Sequence, residues 1–111
     1  MNNLDLLSHA IREKKKISFE YNKPGKTSGQ RIGNPYAIFI LTAKSGVQST
    51  KVHLVQTAGV SDSKDVSPFP DFRMFNIQEL SNIEVLDETF EPTSKKYNPS
   101  WEGYKDVISK V

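Results

Sequence analysis

Apolar positions recur at helical spacing along the first sixteen residues. Leu4, Leu7 and Ile11 form a stripe that Leu6 and Ala10 widen, the pattern of an amphipathic helix with one buried face. Asn3 stands where a side-chain oxygen can accept a bond from a free N–H of the first turn. Asp5 near that end and Lys14, Lys15 and Lys16 at the other suit the helix dipole. The lysine run reads as a solvated helix end, with anion binding as the sharper alternative. The period then changes from helical to alternating. In "ISFEYN", Ile17, Phe19 and Tyr21 share one face and Ser18 and Glu20 the other.

Turn formers follow in "NKPGKTSGQ", with Pro24-Gly25 the sharpest break. "RIGNPYAIFIL" is apolar on both parities from Tyr36 to Leu41, which predicts a central strand or one covered on both sides. Pro35 lacks an N–H, so the regular ladder is expected to begin after it. "TAKSG" predicts a hairpin turn with Gly46 at positive φ, and "VQSTKVHLVQ" the partner strand. Residues 57–72, with two prolines and several serines and aspartates, predict a long mobile loop. "FRMFNI" resumes as a strand, "QELSN" suits a single helical turn, and "IEVLDETF" reads as a further strand. The tail from residue 93 is open to either structure. Trp101 and Tyr104 lie at helical spacing, while "DVISKV" suits a strand. One helix and about five short strands would leave two bare sheet edges. The expected solution is a strongly bent five-stranded sheet closing toward a small barrel, with the helix over one opening.

Composition narrows the function classes. The 111 residues suit one domain. A formal net charge of +2 permits an anionic partner without requiring one. The chain has no cysteine, which removes disulfides, thiolate chemistry and cysteine metal sites. Only His9 and His53 are available as imidazoles, so neither a zinc site nor any other cofactor is expected. No phosphate-cradling glycine loop is present. Glu84, Asp87, Glu88 and Glu91 lack the close spacing of a calcium loop and read as solvated charge. His9 beside Ser8 reads as a helix-surface residue. No apolar run nears the roughly 20 residues that span a bilayer, and the N-terminus lacks the order of a secretory signal. The expectation is a cytoplasmic, non-enzymatic protein with no membrane partner.

Four pieces then occur in a telling order: "LLSHAIREKKKISFEY", "RIGNPYAI", a strand ending in Leu54, and "FRMFNIQELSNIEVLDETF". This order resembles the WYL domain family over roughly residues 4–90. Tyr97-Asn98-Pro99 matches the tail of its short stand-alone relatives. The resemblance implies an Sm-like or SH3-like barrel over residues 1–92, with residues 93–111 as a tail packed on it. Family members are usually attached to a helix-turn-helix in bacterial transcription regulators, some tied to phage defence or DNA damage. This chain would be a member lacking that unit. The family is thought to sense ligands, often nucleotides or nucleic acid, through a basic and aromatic surface.

The name-giving tripeptide of the family corresponds to Val52-His53-Leu54, so tryptophan has become valine and tyrosine histidine. Arg31 matches the arginine before the family's proline, and Arg73 the first arginine of the late strand. Two later basic positions correspond to Asn76 and Glu79, one charge lost and one reversed. Fewer cations mean weaker affinity for long polyanions. Arg31, His53 and Arg73 are therefore the candidate ligand-binding residues. Each has a plain alternative: a strand-edge charge for Arg31, a half-exposed strand residue for His53, and a packed stem with its head reaching outward for Arg73. Tyr21 and Tyr36 read as core positions with bonded hydroxyls. Trp101 and Tyr104 could stack on bases or cover the barrel. The leading expectation is a non-catalytic regulatory module for a nucleotide or single-stranded nucleic acid. The alternative is a protein-interaction or oligomerisation module.

Overall fold

The computed structural model describes residues 2–26, 28–60 and 69–111. Helix α1 spans Asn3–Glu13. Its cap is Asn2, one residue earlier than expected, whose side chain accepts from the Asp5 N–H at 2.8 Å. Leu7, Ala10 and Ile11 are the buried stripe. The helix stops because Lys14 adopts the left-handed conformation, φ 52° and ψ 49°, and its N–H closes on the Ala10 and Ile11 carbonyls. The lysine run is thus a helix end only at Lys14. Lys15 and Lys16 open strand β1 (Lys15–Tyr21), and Lys16 Nζ donates to Asn34 Oδ1 at 2.9 Å.

Strands β2 (Gln30–Thr42), β3 (Gln48–Gly59), β4 (Asp71–Asn76), β5 (Leu80–Thr89) and β6 (Val107–Lys110) follow. The sheet order is β4-β3-β2-β1-β5, with β6 paired to β2 off this path. Every pairing is antiparallel. The β2–β3 turn has Gly46 at φ 87°, as the sequence predicts. The stretch read as a loop over 57–72 is shorter at both ends, since β3 runs to Gly59 and β4 starts at Asp71. Residues 61–68 of it lie outside the described residues. A 3-10 turn at Ile77–Glu79 fills the place predicted for a helical turn.

The ladder does not wait for Pro35. Arg31 already pairs with Gly59, and Pro35 itself pairs with Leu54. Pro35 is tolerated beside a bulge, because the register shifts between Pro35 and Ala37. It also lies between the part of β2 held by β1, up to Gly33, and the part held by β6, from Ala37. The bulge explains the double-parity apolar run. Pro35 shares the parity of Leu54, Ala37 that of His53, and the extra residue Tyr36 joins the His53 side.

The inner face of the sheet and α1 enclose the main core: Leu7, Ala10 and Ile11 with Ile17, Phe19, Ile38, Val52, Leu54, Phe75, Leu80 and Ile83. Full burial of one such side chain contributes about 1.5–3 kcal/mol. The edge strands β4 and β5 are joined by only three residues. In a flat sheet of this order they would stand about 19 Å apart at the usual strand spacing. The link from Asn76 to Leu80 reaches at most about 14 Å, so the sheet must curl. Bending was expected, but closure is not what forms. This is a six-stranded open sheet, with no ladder from β4 to β5 among the described residues. The 3-10 turn redirects the chain at Asn76, and Leu80 then pairs with Tyr21 of β1. Phe75, Leu80 and Ile83 instead meet over the shared core beneath α1.

Candidate functional site

Strand parity builds the outer face. His53 and Val55 point away from the core residues Val52 and Leu54, and their partners on β4 are Met74 and Phe72. Ala37 and Phe39 of β2 share this face with Tyr104, and Tyr36 shares it with Val55 and Phe90. The chain after β5 crosses over these positions. Tyr97 Oη donates to the Val111 carbonyl at 2.9 Å, and a 3-10 turn at Glu102–Tyr104 brings Tyr104 against Phe39, ring centroids 5.2 Å apart. Strand β6 then pairs with Ala37–Phe39, and the Val111 N–H reaches the Tyr36 carbonyl.

Between this segment and β4 lies a pocket of about 430 Å³, with His53 and Tyr104 at its floor, Phe72, Met74 and Trp101 as walls, and Arg73 and Lys96 at its rim. Met74 is 48% exposed and Trp101 39%, so two large apolar groups meet solvent at one opening. The Trp101 ring is seated on Gly103, where an added Cβ would lie 2.3 Å from a ring carbon. Only glycine leaves the ring that space.

His53 is 9% exposed. Its ring centroid lies 4.7 Å from Phe39, 4.9 Å from Phe72 and 5.6 Å from Trp101. Nδ1 is 2.6 Å from the Tyr104 hydroxyl. Burial among these rings lowers the imidazole pKa from 6.5 to about 4. Burial first, and the neighbouring Tyr97 second, push Tyr104 up to about 12. At neutral pH both groups are therefore uncharged. When the phenol donates to Nδ1, the imidazole proton sits on Nε2. His53 is a buried aromatic and hydrogen-bonding group rather than the half-exposed strand residue of the plain reading, and it supplies no positive charge.

The three residues singled out from sequence do not form one surface. His53 and Arg73 line the same pocket. Arg31 lies on the opposite, inner face. It pairs with Phe19 and Gly59 and is completely buried. Its guanidinium donates to Gln56 Oε1 at 3.3 Å and lies 5.4 Å from the Tyr21 ring centre and 5.8 Å from that of Phe75. Arg31 is neither a strand-edge charge nor a partner of His53, because β2 is flanked by strands on both sides there. Arg73 pairs with Leu54 on the edge strand, so its parity is that of the inner face although it lines the pocket. Its Nε pairs with Asp71 at 3.3 Å, and its guanidinium lies 5.6 Å from the Phe69 ring centre. The divergent pair Asn76 and Glu79 bond to each other across the 3-10 turn. Tyr36 has the bonded hydroxyl expected of it, accepting from the Ser94 N–H at 3.1 Å.

Lys96 is the rim residue that sequence reasoning passed over. Its Nζ pairs with Asp71 at 3.2 Å, and its side chain is 70% exposed. An exposed pair of this kind contributes about 0–1 kcal/mol, so Lys96 is readily exchanged onto an anion. The available signal was the doublet Lys95-Lys96 before aromatics at Tyr97, Trp101 and Tyr104, a helix-like spacing in a stretch that has little helix.

The chain is thus mainly β with one N-terminal helix and an aromatic pocket that Arg73 and Lys96 also line. The WYL domain family model matches residues 2–45, which comprise α1, β1, β2 and the start of the following turn. Over that stretch, well under half of its length, the chain is similar to the WYL domain family. The matched segment contains Arg31 and ends before Val52-His53-Leu54, so the equivalence of that tripeptide rests on the sequence reading alone. No curated protein and no solved structure matches the chain. No helix among the described residues is long and apolar enough to cross a membrane.

Proposed function

We propose that the outer-face pocket binds a nucleotide or short single-stranded nucleic acid, and that the chain acts as a non-catalytic regulatory module. The observation that carries this reading is the combination at one opening of Trp101, Phe72 and Met74 with Arg73 and Lys96. Stacking of a base on an aromatic ring contributes about 1–3 kcal/mol. The two cations supply a modest phosphate contact. The neutral His53–Tyr104 pair adds a hydrogen-bonding floor that can read a base edge without demanding charge. Affinity should therefore depend on stacking more than on salt. For single strands each engaged cation contributes about 0.7 to the slope of log affinity against log salt, so two predict a slope of about −1.4.

Fluorescence anisotropy of labelled tetrathymidylate at several salt concentrations tests the reading. The expected result is salt-sensitive binding, with Arg73→Ala and Lys96→Ala each weakening it several-fold and each flattening the slope by about 0.7. Absence of binding at low salt would sink the reading. An alternative is self-association, favoured by Val107 and Ile108 of β6, which are 37% and 43% exposed. A concentration-dependent mass by light scattering, without oligonucleotide binding, would support that alternative.

A further inference from the structure

A second pocket, of about 480 Å³, adjoins the first on the outer face. The two share Phe72 and Lys96 as common lining. Phe72 stands between them, its centroid 4.9 Å from His53 on one side and 5.9 Å from Tyr36 on the other. The first pocket is floored by His53 and the second by Val55. These residues are two apart on one face of β3, so the floors are spaced by about 6.8 Å. That is about twice the 3.4 Å rise of stacked bases along one strand. It is the spacing of two successive bases held apart with a single ring between them.

The second pocket also has the chemistry of a nucleotide subsite. Tyr36 and Phe72 give it aromatic walls, and Asn34, Thr57 and Thr93 give it polar groups. Lys95 and Lys96 belong to its lining, and Lys16 donates to its Asn34 Oδ1. Glu91 is the one carboxylate in its lining. Lys96 borders both pockets, the place where a phosphate linking two nucleosides would pass.

We infer that the second pocket is a second nucleotide subsite, so that the ligand unit is two successive nucleotides of a single strand, unstacked around Phe72 and clamped at their linking phosphate by Lys96. This deepens the nucleotide-binding reading and rests on it. It assigns Lys95 to the second subsite alone, because Lys95 lines only that pocket.

Isothermal titration calorimetry with thymidine 5′-monophosphate and with the dinucleotide pTpT separates the two ideas. The expected result is that pTpT binds at least tenfold more tightly than the mononucleotide. Lys95→Glu, an exposed change outside the core, should weaken pTpT about fivefold and leave the mononucleotide unchanged. Equal affinity for the two ligands, or an equal effect of Lys95→Glu on both, would overturn the second subsite while leaving nucleotide binding intact. Failure of both ligands to bind would overturn the nucleotide-binding reading itself.

Discussion

Burial makes His53 a neutral residue and gives stability a distinct pH dependence. The unfolded chain takes up a proton at this imidazole as pH falls through about 6.5, whereas the folded chain takes it up only near about 4. Between those values the unfolded state binds more protons, so the stability held above pH 6.5 is lost as pH drops toward 4. The groups around it are Phe39, Phe72 and Trp101, with the phenol of Tyr104 on Nδ1 and Arg73 and Lys96 at the pocket rim. Thermal or urea unfolding should show a loss of about 1–2 kcal/mol from pH 7 to pH 5 attributable to this residue. His53→Gln should remove that part of the pH dependence. An unchanged pH profile in the variant would show that His53 titrates normally. The alternation of β3 sets His53 on the face opposite Val52 and Leu54. It could not show burial there, because the covering rings of Trp101 and Tyr104 come from a segment about fifty residues away. The same limit applied to Arg31. Its parity matches the core, but an arginine is rarely fully buried, and only the register with Phe19 and Gly59 and the bond to Gln56 reveal the aromatic and carboxamide surroundings that accept it.

At the level of elements, the junction of α1 and β1 carries an unfavourable backbone. Lys14 ends the helix at φ 52°, a conformation that strains an L-residue by about 1–2 kcal/mol and suits glycine. Lys14→Gly should stabilise the protein by up to about 1 kcal/mol once the greater freedom of glycine in the unfolded chain is subtracted. Urea denaturation checks this, and a lower midpoint would show that the lysine side chain contributes something the backbone argument omits. Most elements were legible from period and punctuation: the α1 stripe, the alternation of β1, the Gly46 turn and the late turn–strand pair. Three features were not. The bulge at Tyr36 lets Pro35 sit inside a ladder, which residue propensity alone disfavours. The break at Lys14 uses a residue with no turn signature. β6 is four residues long, too short for alternation to distinguish it from a helix end, and it is fixed by pairing with β2 rather than by its own pattern.

For the molecule as a whole, the short link between β4 and β5 forces curvature, and curvature separates two faces with different tasks. The inner face takes α1 and the apolar core, Arg31 included. The outer face takes the C-terminal segment, and the seam between that segment and β4 is the candidate site. The likeness to the WYL domain family lies in residues 2–45, yet the proposed pocket is assembled from residues beyond that stretch. That explains why the site was only half legible: His53 and Arg73 lie at positions a resemblance could point to, whereas Lys96 and Trp101 reach the pocket through the path of the tail. Trp101 is the sole tryptophan and forms a pocket wall, so its emission reports on the site directly. Titration of the unlabelled protein with tetrathymidylate at low salt, followed by Trp101 fluorescence, should give saturable quenching as a base stacks on the indole. Emission that stays unchanged while anisotropy reports binding would place the ligand elsewhere and contradict the site described.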